Sequence, residues 1–120
     1  MNNKKIVDSL GLQYPICWED DTAMARVKKE INPRTKKRLT GYAEDCIVHL
    51  NTSITKLYTL IFTAYHEEEH CNIEKRRQEY PWFEHKKFGG EIWYEEAMCN
   101  LYALCKTIDY WGKSFKKVKK

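Results

Sequence analysis

The chain has 120 residues, 42% hydrophobic and 32% charged, with a formal net charge of +4, which fits one domain with a modest core. No run of about 18 apolar residues is present, so no transmembrane helix is expected. Five cysteines, odd in number and without a Cys-x-x-Cys pair, argue against a disulfide framework and for reduced thiols in a cytoplasm.

Lys4 and Lys5 are not followed by an apolar stretch, so no cleaved secretory signal is expected. Residues 1–12 suggest a short helix ending near Gly11, and Tyr14 to Trp18 a short strand. Ala23 to Ile31 fits either helix or strand; strand is the expectation, turning at Asn32-Pro33. Leu39 to Ala43 and Cys46 to Leu50 are apolar-rich runs around Glu44-Asp45, which predicts a β-hairpin. In the second run Cys46, Val48 and Leu50 would share one face.

Asn51, Thr52 and Ser53 supply helix N-cap chemistry, and a helix is predicted from there to about Glu79, stopped by Pro81. On it, Leu57, Leu60, Ile61 and Ala64 fall on one side. His66 and His70 share the other with Thr59, Phe62 and Ile73. A helix apolar on both sides sits between two layers. Trp82 to Gly90 reads as irregular, and a last helix is predicted from about Ile92 to Tyr110, packing through Ala97, Leu101 and Leu104 or Cys105. Residues 1–112 form the predicted domain. Residues 113–120 read as a basic, flexible tail whose five lysines account for the positive charge, since residues 1–112 sum to −1.

His66-Glu67-Glu68-Glu69-His70 matches H-E-x-x-H. Residues four apart share a helix face about 6 Å apart, so both imidazoles can reach one zinc ion. Glu67 projects to the side, where its carboxylate meets a metal-bound water as general base. The competing reading is a solvated, charge-rich helix face; the apolar turns before His66 argue against it. Cys71 is read as a packing residue, turned about 100° from His70.

A catalytic zinc needs a third protein ligand and an open position. The last helix offers Glu91, Glu95 and Glu96. Glu96 is preferred because it lies one turn before Asn100, which can support a metal-binding histidine. Glu95 is expected at an edge position without a metal role, and His85 is a rival third ligand. Candidates for stabilising the oxyanion are His85, Tyr80, Tyr94 and Tyr102.

With these residues in place, the sequence resembles the gluzincin metallopeptidases, and within them the ImmA/IrrE family. Gly41-Tyr-Ala43 with Ile47-Val-His-Leu-Asn51 is similar to the family's hairpin and edge strand. Phe62-Thr-Ala-Tyr-His66 is similar to its lead-in, and Glu96-x-x-x-Asn100-x-Tyr102-Ala103 to its downstream signature; twenty-five residues separate His70 from Glu96. The likeness covers roughly residues 38–106. It implies a minimal zincin-like α+β fold, a small antiparallel sheet on the metal-binding helix with a second, C-terminal helix. It also implies one zinc on His66, His70 and Glu96, with Glu67 as base. The family usually has a small residue before the second histidine, where this chain has Glu69.

The expected function is zinc-dependent peptide-bond hydrolysis, and the resemblance implies a regulatory protein substrate such as a helix-turn-helix repressor. Two other readings stay open. One is a catalytically silent zinc-binding interaction module. The other is a nucleic-acid partner for Arg34 to Arg38 and the lysine tail. Nucleic acid is not expected as primary partner, because neither cluster carries the run of aromatic residues a stacking platform needs. No membrane partner is expected.

Overall fold

The computed structural model describes residues 2–31, 39–79 and 89–118. These form four helices, α1 (Asn3–Leu10), α2 (Asp21–Ile31), α3 (Leu57–Glu79) and α4 (Gly89–Val118). Three strands accompany them, β1 (Ile16–Glu19), β2 (Gly41–Glu44) and β3 (Ile47–Asn51). The α+β class is as expected. His85, Tyr80, Pro81 and the Arg34 to Arg38 cluster lie outside the described residues, as do the side chains of Glu91 and Tyr94.

Helix α1 begins where Asn2 accepts a hydrogen bond from the Lys5 N–H and ends at Gly11, whose φ of 67° is left-handed; glycine reaches that region without a Cβ clash. Ala23 to Ile31 is helix α2, not strand. Asp20 caps it, its Oδ1 accepting from the Ala23 N–H at 2.8 Å and its carbonyl from the Met24 N–H. An aspartate satisfying an otherwise orphaned N–H is a start signal that the strand reading overlooked. Met24, buried, anchors the helix.

The sheet order is β1-β3-β2. The hairpin β2–β3 is antiparallel, but β1 runs parallel to β3, so the sheet is mixed rather than wholly antiparallel. The long connection through α2 returns the chain past β1 in the same direction, as parallel pairing requires. The hairpin turns at Asp45-Cys46, both with positive φ (54° and 58°), the geometry of a two-residue type I′ loop. Cys46 is therefore in the turn and not on the Val48–Leu50 face. Its N–H donates to Glu74 of α3 at 3.2 Å.

Val48 and Leu50 point with Ile16, Trp18 and Ala43 into the core, where they meet Val7, Ile54, Leu60, Ala64 and Cys71. Cys71 has the packing role expected of it. Asn51 to Ser53 do not cap α3. The Asn51 side chain instead accepts from the Ser53 N–H and hydroxyl, an Asx turn, and α3 starts at Leu57. It lies between the sheet and α4, which explains why it is apolar on both sides.

Helix α4 starts before Ile92, and its backbone continues through much of the basic segment read as a tail, to Val118. Its packing face also differs from expectation. Ala97, Leu101, Leu104 and Cys105 are exposed, and the buried stripe is Cys99, Ala103 and Thr107. These small residues, four apart, form a ridge that allows close approach to α3. Glu95 lies one turn before them on the same stripe. Among the described residues no helix is long and apolar enough to cross a membrane.

Candidate metal centre

His66 and His70 face α4 from one side of α3, as helical spacing requires. Their Nε2 atoms are 3.2 Å apart. Glu96 joins them from α4, with Oε2 3.3 Å from His66 Nε2 and Oε1 2.7 Å from His70 Nε2. Two imidazole nitrogens and a carboxylate converging on one point are a donor set that suits zinc. The 3.2 and 3.3 Å spacings are close to the roughly 3.3 Å edge of a tetrahedron with ligands at zinc distance. The 2.7 Å contact is a hydrogen bond that must open slightly. His66 Nδ1 is buried with no hydrogen-bond partner among the described residues, so the ring is oriented by its Nε2 side and by stacking against Phe62, centroids 6.1 Å apart. The residues present fit a divalent ion.

Glu95 is part of the same constellation, contrary to the edge position expected for it. Its Oε2 lies 3.0 Å from His70 Nδ1, and its side chain is 21% exposed against 52% for Glu96. Because Nδ1 faces a carboxylate, it carries the proton there, leaving Nε2 directed at Glu96. Asn100, expected to support a histidine, is exposed; Glu95 takes that role. The signal was its place four residues before Cys99 on the small-residue stripe.

The charges respond accordingly. Burial opposes the charged form of His70, but hydrogen bonds with Cys99, Glu95 and Glu96 outweigh it and push its pKa up to about 12. The hydrogen bonds from His66 and then His70 hold the Glu96 carboxyl well below the usual carboxylate range. Burial raises Glu67 to about 7, against the lowering pull of His66 and His70.

Glu67 is packed beneath the sheet. A Cβ on Gly41 of β2 would stand 3.4 Å from Glu67 Cγ, 2.7 Å from Thr63 Cγ2 and 2.8 Å from the His49 carbonyl. Only glycine lets β2 approach α3 this closely. Glu68 and Glu69 are buried too, and each is satisfied. Glu68 accepts from the Tyr102 hydroxyl at 2.6 Å and from the Gln13 N–H at 3.1 Å. Glu69 accepts from Asn72 at 3.0 Å and pairs with Arg76 at 3.5 Å. Asn72 in turn accepts from the Tyr14 hydroxyl. Tyr102 is thus engaged by Glu68 rather than directed at the histidines, and burial together with Glu68 raises its pKa.

Compared with family models, curated proteins and solved structures, the chain matches none of them.

Proposed function

We propose that this chain is a zinc-dependent peptidase, with the metal on His66, His70 and Glu96 and with Glu67 as general base. The observation that carries the reading is the convergence of the two Nε2 atoms and the Glu96 carboxylate beside a buried carboxyl whose pKa is raised to about 7. The motif likeness to the ImmA/IrrE family supports it, and the free thiols accord with a cytoplasmic setting.

A zinc ion held there supplies Lewis acidity and a water of lowered pKa. The remaining work belongs to the chain. Glu67, poised near neutrality, accepts the proton of the attacking water and returns it to the leaving amine. Glu95 fixes the His70 ring in one tautomer and orientation. Among the described residues β2 pairs on one side only, with β3. The face of this edge strand packs on Glu67 at Gly41, where a Cβ would stand 3.4 Å from Glu67 Cγ. An extended peptide can add to that edge as a further strand, which places its backbone next to the base. Such a substrate is a protein segment able to become extended; a helix-turn-helix repressor is the class the family likeness suggests.

The test combines metal analysis with cleavage of a peptide library by the purified chain and by Glu67→Gln. The proposal expects one zinc at this centre in both proteins and turnover only in the wild type. Equal cleavage by Glu67→Gln overturns the mechanism. Bound zinc with no cleavage by the wild type assigns the chain to the silent interaction modules.

A further inference from the structure

We infer that the sheet carries a second metal site, for a zinc-class divalent cation, built from Cys17, Glu19 and His49 on the face away from α3. Strand alternation puts these residues there. Ile16, Trp18, Val48 and Leu50 fill the core side, so Cys17, Glu19 and His49 point the other way. The register places Cys17 directly opposite His49, and His49 directly opposite Tyr42. The three side chains therefore meet across two paired strands, and none belongs to the centre formed by α3 and α4.

Ligand atoms of Cys17, Glu19 and His49 all lie within 4.8 Å of one another. His49 Nδ1 and Glu19 Oε2 are 3.6 Å apart, too long for a hydrogen bond, and both atoms are buried with no hydrogen-bond partner among the described residues. Two polar atoms facing each other across such a gap, each left unsatisfied, represent a cost that folding normally avoids. A cation between them satisfies both. The tetrahedral edge for zinc-bound nitrogen, oxygen and sulfur is roughly 3.3–3.6 Å, so the set closes with side-chain shifts of roughly 1.3 Å at most. A thiolate, an imidazole and a carboxylate together favour zinc over magnesium or calcium, which prefer all-oxygen shells.

Tyr42 organises this set. Its ring stacks on His49, centroids 4.2 Å apart and 6° from parallel, and burial and then the neighbouring Glu19 carboxylate hold its hydroxyl above the usual phenol range. Tyr42 is largely buried at 8% exposure, so the His49 ring is held before any ion arrives. Outer contacts of this kind orient metal ligands and sustain affinity. Binding converts the Cys17 thiol to a metal-bound thiolate and releases its proton to solvent. The ion would clasp β1 to β3, a parallel pairing of only four residues.

Cobalt(II) titration of the reduced full-length chain tests this, because a thiolate-to-cobalt charge-transfer band reports sulfur ligation and the His66–His70–Glu96 set contains no sulfur. The expected result is a band in the wild type that persists in a His66→Ala/His70→Ala variant, where only the sheet site remains and the band saturates at one equivalent. It should disappear in Cys17→Ser and demand a higher cobalt concentration in His49→Gln. Tyr42→Phe, which keeps the ring and removes the hydroxyl, should weaken cobalt binding about 10–100-fold. Absence of the band in the wild type, or an unchanged band in Cys17→Ser, overturns the proposal. Neither result bears on the peptidase reading.

Discussion

Glu95 and His70 meet edge-on across the α3–α4 interface, with Oε2 3.0 Å from Nδ1, while the adjacent Glu96 holds Nε2 of the same ring at 2.7 Å. Neighbouring residues on a helix diverge by about 100°, so the two glutamates grip opposite edges of one imidazole instead of competing for one metal. Their substitutions should differ in kind. Glu96→Ala removes a ligand and should abolish stoichiometric zinc at this centre. Glu95→Ala should keep one zinc at the centre but weaken it about 10–100-fold, the usual cost of losing such a support. Competition titration with a chromophoric chelator measures both in a Cys17→Ser background, where the sheet site lacks its thiolate, and a Glu95→Ala affinity equal to that of its parent would remove Glu95 from the centre.

The same contacts set a proton balance. In the metal-free chain His70 is pushed up to about 12, so at neutral pH its ring is charged and its Nε2 carries a proton. Zinc binds only neutral imidazole, so loading this centre at pH 7 should release about one proton from His70. Calorimetric titration in two buffers of different ionisation enthalpy reads that number in Cys17→Ser, where any thiol contribution from the sheet is absent. Stability follows by linkage. A histidine raised from 6.5 contributes stability fully present below about pH 6.5 and lost as pH rises towards 12. Glu67, also raised, favours the folded state less as pH climbs from 4.5 to about 7. The metal-free protein should therefore lose stability from pH 6.5 upward, and the zinc-loaded protein should do so less. A melting temperature of the apoprotein that rises with alkalinity would contradict this.

The hairpin turn carries a strain that can be relieved. Cys46 holds φ at 58°, a region where a side chain costs about 1–2 kcal/mol relative to glycine. Type I′ loops favour Asp-Gly, and Asp45 already occupies the first position. Glycine keeps the N–H that donates to Glu74. Cys46→Gly should raise unfolding free energy by about 1 kcal/mol, less the burial lost with the thiol. Urea denaturation of the zinc-loaded protein measures it, and a decrease would mean that the thiol's packing outweighs the strain.

What could be read from the residues was what short-range periodicity encodes. His66, Glu67 and His70 are spaced by one helix turn, and Val48 and Leu50 by the strand pleat, so their faces follow from the local sequence. The direction of β1 did not follow, because parallel pairing depends on the path of a long connection. Nor did the packing face of α4. Hydrophobicity pointed to Leu101 and Leu104, whereas close helix contact selected the smaller Cys99, Ala103 and Thr107. That choice rotates the helix and brings Glu95 onto His70. Glu68 and Glu69 are buried because Tyr102, Gln13, Asn72 and Arg76 supply partners, two of them more than thirty residues distant in sequence.

Gly41 ties the sheet to the proposed chemistry and gives the most direct check on the edge-strand geometry. A Cβ there would lie 2.7 Å from Thr63 Cγ2 and 2.8 Å from the His49 carbonyl. The methyl can rotate away, but the carbonyl belongs to the paired strand β3 and cannot move without disturbing the hairpin. Gly41→Ala must therefore lift β2 away from α3 or distort its pairing, at a cost typical of overpacking, about 1–3 kcal/mol. The displacement also moves the free edge of β2 away from Glu67, whose Cγ is the third nearest atom at 3.4 Å. His66, His70 and Glu96 lie on the helices, so their zinc affinity should stay close to wild type. The expected pattern is a lowered melting temperature, retained metal and a reduced kcat/KM for peptide substrates. Thr63→Ser removes the methyl and relieves one of the two contacts, so in the Gly41→Ala background it should restore part of the stability. Gly41→Ala with wild-type stability and turnover would show that β2 does not sit against the base as described.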